Sequence, residues 1–171
     1  MIRVITFSVV LILFSSCSDE PEVKQPSMEE IQEALLEANI KATQIESSQI
    51  DAYVKRKNIP VIKTGTGLRY FVYHKGNQLV KADFKKKAVI NYDVTLLNGD
   101  TCYSTKEKPE EFTIGEDYAE SGLHEGIQLM YEGDKAIIII PSHLAHGLAG
   151  DLKKIPIRST IVYDVELVKV K

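Results

Sequence analysis

The sequence has little cysteine and no excess of positive charge, and each shortage excludes a class of protein. Only two of the 171 residues are cysteine, Cys17 and Cys102. A disulfide-rich fold is therefore excluded, and stability has to come from packing. Lysine and arginine number 21 against 24 aspartate and glutamate, a formal net charge of −3. Because nucleic-acid-binding proteins usually carry a basic face, we expect no nucleic-acid partner.

Long apolar runs are missing as well. The stretch VITFSVVLILF, residues 4–14, follows a single arginine and is too short to span a bilayer comfortably, so it predicts a secretory signal over residues 1–16. It ends in FSSC, which resembles the lipobox of bacterial lipoproteins, whose cysteine carries lipid. We therefore expect lipidation of Cys17, a lipidated tether over residues 17–27, and an outer-membrane lipoprotein facing the periplasm. A plain signal peptide with an unmodified Cys17 is the alternative.

A helical extension is predicted over residues 28–60. Its acidic first turn follows Ser27, and apolar residues recur at steps of four and three. Ser47 and Ser48 predict an interruption, with a second short helix running to about Lys57. The narrow apolar seam fits either a homodimer formed through this helix or a helix lying loosely on the domain. The seam consists of Ile31, Leu35, Ala38, Ala42 and Ile45.

From residue 61 onward the pattern changes to short strands. A β-hairpin lead-in is expected over residues 61–84, around Gly65 and Gly67, and KAVINYDVTLLNGD alternates before a hairpin turn at Asn98-Gly99. One helix is expected where Leu123, Ile127 and Met130 share a face, with Gly133 as its stop. The runs DKAIIIIP and STIVYDVELVKVK complete an α+β arrangement.

The motifs VINYDVTLLNG, FTIG, SGLHEGIQLM, EGDKAIIIIPSHLAHG and STIVYDVELVKV follow one another in order. Over residues 85–171 this succession resembles the FKBP-type peptidyl-prolyl cis-trans isomerases, and most of all the lipoproteins associated with bacterial gliding motility. The resemblance implies an FKBP-like twisted antiparallel β-sheet wrapped around a short α-helix, with an apolar pocket between them. It also implies isomerisation of X-Pro bonds in proline-containing polypeptides, without metal or cofactor.

The resemblance assigns a role to nine residues. Tyr92 lines a wall, Leu123 forms the floor, the main-chain N–H of Glu120 donates to the substrate carbonyl, and His146 stands at the rim. Membership of the ordinary core is the alternative for Phe112, Ile155 and Tyr163. The catalytic positions are thus Tyr92, Glu120, Leu123 and His146, and the substrate-binding positions are Tyr103, Phe112, Ala119, Ile155 and Tyr163.

Several of these positions depart from the family pattern. Cys102 and Tyr103 replace an aromatic-aspartate pair, Ala119 is small, and Leu123 stands where many members have tryptophan, a residue this chain lacks. Glu120 replaces isoleucine or valine, so its carboxylate either turns to solvent or raises the cost of desolvation. Two functions therefore stay open: a prolyl isomerase, or a binding and chaperone module with weak catalysis.

The two histidines of IIIIPSHLAHG, His143 and His146, are three residues apart. They lack the further ligands that a zinc site needs. His146 occupies the position of a family tyrosine whose hydroxyl points at a substrate carbonyl, so it is expected to be a rim donor, with a solvated loop residue as the alternative. His143 is expected at the surface.

Overall fold

The computed structural model describes residues 25–106 and 108–171, so Cys17 and the predicted signal lie outside the described residues. The chain divides into two units, Met1–Leu36 and Glu37–Lys171. The described part of the first unit is the start of helix α1, Met28–Lys57. Ser27 caps it, because the Glu30 N–H donates to Ser27 Oγ at 3.2 Å and the Ser27 N–H donates to Glu30 Oε2 at 2.7 Å. This reciprocal pair is a capping box.

Helix α1 continues to Lys57 without a break, so the predicted interruption at Ser47 and Ser48 is wrong. The Ser48 hydroxyl donates to the Gln44 carbonyl at 2.9 Å, a back-bond that a serine inside a helix can make. The predicted apolar seam is largely exposed, with Leu35 at 59 % and Ile45 at 50 %. None of the described helices is long and apolar enough to cross a membrane.

Within the described residues seven strands form one antiparallel sheet in the order β1-β2-β6-β7-β3-β4, and β5 also pairs with β3. The predicted α+β fold is thereby confirmed. The turn at Asn98-Gly99 joins β3 to β4, with Gly99 at φ +99°. The strands are β1 Ile62–Lys63, β2 Arg69–His74, β3 Lys87–Leu96, β4 Thr101–Ser104, β5 Glu110–Thr113, β6 Lys135–Ile140 and β7 Ile161–Val170.

The run of isoleucines in β6 is buried on both faces of the sheet because successive side chains of a strand point to opposite sides. Ile138 and Ile140 belong to the main core, which also includes helix α2, Ser121–Ile127. Ile137 and Ile139 lie on the other face, in a cluster with Ile50 of α1. A continuous apolar run is thus the sequence signature of a strand between two helices.

Helix α2 is held close to β6 and ends earlier than predicted. A Cβ at Gly126 would lie 2.7 Å from Ile138 Cδ1, so a larger residue there would require the Ile138 side chain or the helix to shift. The helix ends at Ile127, and Met130, expected within it, is buried in the segment that follows. This short segment brings the chain back to β6.

The half of α1 that belongs to the second unit is fixed by a buried arginine. Arg69 of β2 is 2 % exposed and donates to Ser47 Oγ at 2.7 Å and to Asp51 Oδ1 at 2.8 Å. A buried guanidinium needs such partners, because charge away from water is costly unless it is hydrogen-bonded. Arg69 therefore fixes this part of the helix against β2.

Candidate active site

A cavity of about 530 Å³ opens beside α2 and contains eight of the nine predicted site residues. Strands β3, β4, β5 and β7, the segment that precedes α2, and the loop between β6 and β7 all contribute to its lining. The eight residues are Tyr92, Tyr103, Phe112, Ala119, Glu120, Leu123, His146 and Tyr163.

Ile155 is the exception, since it does not line this cavity. Its side chain is 3 % exposed and packs in the main core, while its main-chain N–H donates to Asp151 Oδ1 at 2.8 Å. The substrate-binding role that the resemblance implies for Ile155 stays a prediction, and its burial is compatible with the alternative of ordinary core membership.

The floor and one wall of the cavity are apolar and closely packed. Leu123 is only 4 % exposed and belongs to the main core. Tyr163, also 4 % exposed, meets Tyr92 edge to face with the ring centroids 5.3 Å apart. Such pairs are a favoured aromatic geometry. The floor and this wall thus offer a closely packed apolar surface to an apolar group.

The carboxylate of Glu120 lies inside the cavity, which decides between the two orientations expected from the sequence. Tyr163 Oη lies 3.2 Å from both Glu120 carboxylate oxygens, and His146 Nε2 lies 3.0 Å from Oε1. Burial, followed by the charge of Glu120, raises the pKa of Tyr163 well above its ordinary value. Tyr163 therefore stays a neutral donor to this carboxylate at physiological pH.

The main-chain N–H of Glu120 is available to a ligand. Glu120 is the N-cap of α2, with φ −62° and ψ 138°. Among residues 25–106 and 108–171 its N–H donates no hydrogen bond. First-turn N–H groups of a helix have no partner within the helix, so they can donate to a bound carbonyl.

Two further carboxylates complete the polar part of the cavity. The Tyr92 hydroxyl donates to Glu110 Oε2 at 2.9 Å, and the Tyr103 hydroxyl donates to Asp151 Oδ2. Glu110 thus satisfies the hydroxyl of Tyr92. Neither Glu110 nor Asp151 was predicted from the sequence.

Asp151 also shapes the loop between β6 and β7. Its Oδ1 accepts the N–H groups of Lys153, Lys154 and Ile155 at 2.8 to 2.9 Å. Burial acts to raise the pKa of Asp151, but these hydrogen bonds and that of Tyr103 lower it far below its usual range. An aspartate that bonds to the backbone just after it is a turn signal, which sequence reasoning could have used here.

Both ends of this loop are joined to α1. Glu46 Oε1 accepts the Ser142 N–H at 2.7 Å and the Thr160 hydroxyl at 2.6 Å, and Oε2 accepts the Ser142 hydroxyl at 2.9 Å. His146 therefore lies on a loop whose two ends, at Ser142 and Thr160, share the carboxylate of Glu46. His143 is exposed, as expected, and its Nε2 lies 3.0 Å from the Thr66 carbonyl oxygen.

Comparison with known proteins identifies the family. Residues 80–168 match the sequence model described as FKBP-type peptidyl-prolyl cis-trans isomerase. The chain belongs to this family. FK506-binding protein 2 of Dictyostelium discoideum is 40% identical over 91 residues, which cover 52% of this chain and 68% of that protein.

FKBP-type isomerase FkpA of Escherichia coli K12 is 33% identical over 121 residues, or 71% of this chain. The match spans 43% of FkpA, less than half its length. The crystal structure of FkpA from Escherichia coli superposes with a TM-score of 0.64 at 31% identity, covering 86% of this chain and 74% of that one. The predicted family is thereby confirmed.

Proposed function

We propose that the chain isomerises X-Pro bonds of exported polypeptides in the cavity beside α2, with the nine sequence-assigned positions, apart from Ile155, as its site. The observation that carries this proposal is the combination of an apolar floor at Leu123 with the N–H of Glu120 at its edge, which donates to no described residue. Family membership supports the activity, and the predicted signal supports an exported location.

This arrangement suits the reaction. Rotation about an X-Pro bond has a barrier of roughly 20 kcal/mol because twisting removes the amide resonance. The twisted amide is less polar than either planar isomer, so an apolar cavity with one donor favours the transition state over the substrate. Leu123, Tyr92 and Tyr163 surround the proline ring, and the Glu120 N–H donates to the carbonyl.

The test is a prolyl isomerisation assay with the full-length chain and a Leu-Pro peptide. We expect catalysis above the spontaneous rate, and we expect loss of most of it when Leu123 is replaced by alanine in a sample that remains folded. An uncatalysed rate with folded full-length protein would contradict the proposal.

A binding module with weak catalysis is the second candidate. It is favoured by the Glu120 carboxylate inside the cavity, because a charged group beside the reacting amide has to be desolvated with it. Refolding of a protein limited by proline isomerisation separates the candidates. Acceleration of refolding or suppression of aggregation without peptide turnover would support the binding module.

We further propose that the protein is an envelope lipoprotein, anchored at Cys17 and facing the periplasm, of the kind associated with gliding motility. The support is the FSSC sequence after a short apolar run. Replacing Cys17 with serine is expected to move the protein from the membrane to the soluble fraction, because a removed signal cannot anchor it. Continued membrane association of this variant after signal cleavage would refute the anchor.

A homodimer through α1 belongs to the same proposal. Large apolar residues on this helix are exposed, which is unusual unless another surface covers them. Sedimentation of the full-length chain tests the proposal, with a purely monomeric protein as the contrary result. The exposed residues are Leu35, Leu36, Ile40 and Ile45.

A further inference from the structure

The side chain of Glu120 lines the cavity in which the proline ring is proposed to bind. Its carboxylate is held at the cavity wall by Tyr163 and His146 and is 15 % exposed. His146 offsets the charge only when it is protonated. A negative charge is therefore fixed beside the Glu120 N–H, the group proposed to bind the substrate carbonyl.

No described lysine or arginine pairs with this carboxylate, so His146 is its one possible ion-pair partner among residues 25–106 and 108–171. Glu110, which accepts from the Tyr92 hydroxyl, has no cation within ion-pair distance among residues 25–106 and 108–171. Lys153 is the one lysine or arginine in the described lining, against five acidic residues. Those five are Glu110, Glu111, Asp117, Glu120 and Asp151.

Of these acidic residues, Glu111 is already paired with lysine. It lies 2.9 Å from Lys87 Nζ and 2.6 Å from Lys171 Nζ. Asp151 accepts only uncharged donors, from the Tyr103 hydroxyl and the backbone. Asp117 is exposed and accepts the Thr113 N–H. Of the five, Glu120 carries the N–H proposed to bind the substrate carbonyl, so a cationic residue next to the proline would meet the Glu120 carboxylate first.

We propose that the cavity selects X-Pro segments in which X is lysine or arginine, with Glu120 as the specificity-determining residue. This inference rests on the proposed isomerase function. When the proline ring enters, it removes water from the Glu120 carboxylate, and a basic residue X replaces that water as the partner. A carboxylate at X meets Glu120 with the same sign, and like charges at a shared site repel.

The test compares three peptides that differ only in residue X, as Lys-Pro, Leu-Pro and Glu-Pro, with the full-length chain at low ionic strength. We expect kcat/KM to fall in that order, with about a tenfold ratio between Lys-Pro and Glu-Pro, a typical effect for partly solvated charges. Salt at 0.5 M screens such charges, so on the order of half of the logarithmic difference should disappear.

Two variants assign the effect to Glu120. Glu120→Gln keeps an oxygen that accepts from Tyr163 and removes the charge, so the Lys-Pro to Glu-Pro ratio is expected to fall by about threefold. Glu116→Gln is the matched control, because Glu116 pairs with Lys85 and does not line the cavity. It makes the same change in net charge and should leave the ratio as in the parent.

The outcomes separate this inference from the function on which it rests. If Leu-Pro is isomerised and the ratio is near one, or if Glu116→Gln lowers the ratio as much as Glu120→Gln, the specificity proposal is wrong while the isomerase stands. If none of the three peptides is isomerised by folded protein, the proposed function itself fails. In that case peptide affinities measured by fluorescence anisotropy still decide the preference, since binding should follow the same order.

Discussion

Replacing Leu123 with alanine should cost about 3 kcal/mol of unfolding free energy. The change removes three carbon atoms from a side chain that is 4 % exposed, and each buried carbon contributes about 0.8 kcal/mol. Gly126 already packs closely against Ile138, which limits how far α2 can move to fill the space. A cavity term therefore adds to the transfer term, and the sum falls within the range of ~2 to 5 kcal/mol seen for such truncations.

Urea unfolding of the full-length chain, followed by circular dichroism, measures this loss. A difference below about 1 kcal/mol would refute the reasoning, because it would mean that α2 moves to fill the gap or that Leu123 is not packed as described. The isomerase assay is then run under conditions where both proteins are folded. Leu123→Met, which keeps the volume, should cost less than about 1.5 kcal/mol. Reduced activity in this methionine variant would assign Leu123 to the substrate site as well as to the core.

Three further predictions concern polar groups. Glu46→Gln leaves an amide nitrogen that cannot accept, so one hydrogen bond between this side chain and the loop is lost. We expect KM to rise and the free energy of unfolding to fall by about 1 to 3 kcal/mol. Asp51→Asn, which alters only the contact with Arg69, is the control and should leave KM unchanged. Hydrogen bonds from its two lysine partners, Lys171 first, lower the pKa of Glu111 from 4.5 to about 2. The stability that these two ion pairs provide is present above pH 4.5 and lost as pH falls towards 2. The urea midpoint of Glu111→Gln should therefore vary less with pH in that window than the midpoint of the parent. An equal pH dependence in the two proteins would count against the ion pairs. His146→Phe removes a partner of Glu120, and a loss of kcat/KM of about two- to tenfold is expected, while a value equal to the parent would make the histidine a bystander.

Local signals predicted most of the sheet. The Asn98-Gly99 turn, the alternation in β3 and the isoleucine run of β6 all depend on neighbours within ten residues, and each lies where expected. The helix break expected at Ser47 and Ser48 is absent because packing outweighs the local preference. Serine is only weakly unfavourable within a helix, and packing of Ile50 against the sheet outweighs that preference.

The polar contacts of the site could not be predicted, because their partners are distant in sequence. Glu120 is fixed by Tyr163, 43 residues away, and Glu46 by Ser142 and Thr160, 96 and 114 residues away. The pattern of apolar residues carries no information on which carboxylate meets which hydroxyl. The packing of Ile155 could not be predicted either, since a loop isoleucine can face the cavity or the core.

The position of β7 in the sheet has a consequence for how the protein folds. This strand, Ile161–Val170, pairs with β6 on one side and with β3 on the other, although it follows both of them in sequence. Until it is available, the β1-β2-β6 and β3-β4-β5 groups each have an open edge where β7 will lie, and open edges favour aggregation. Contacts between residues so far apart in sequence also slow folding. A chain in which β7 has not yet formed would therefore expose two sheet edges and would itself need a chaperone.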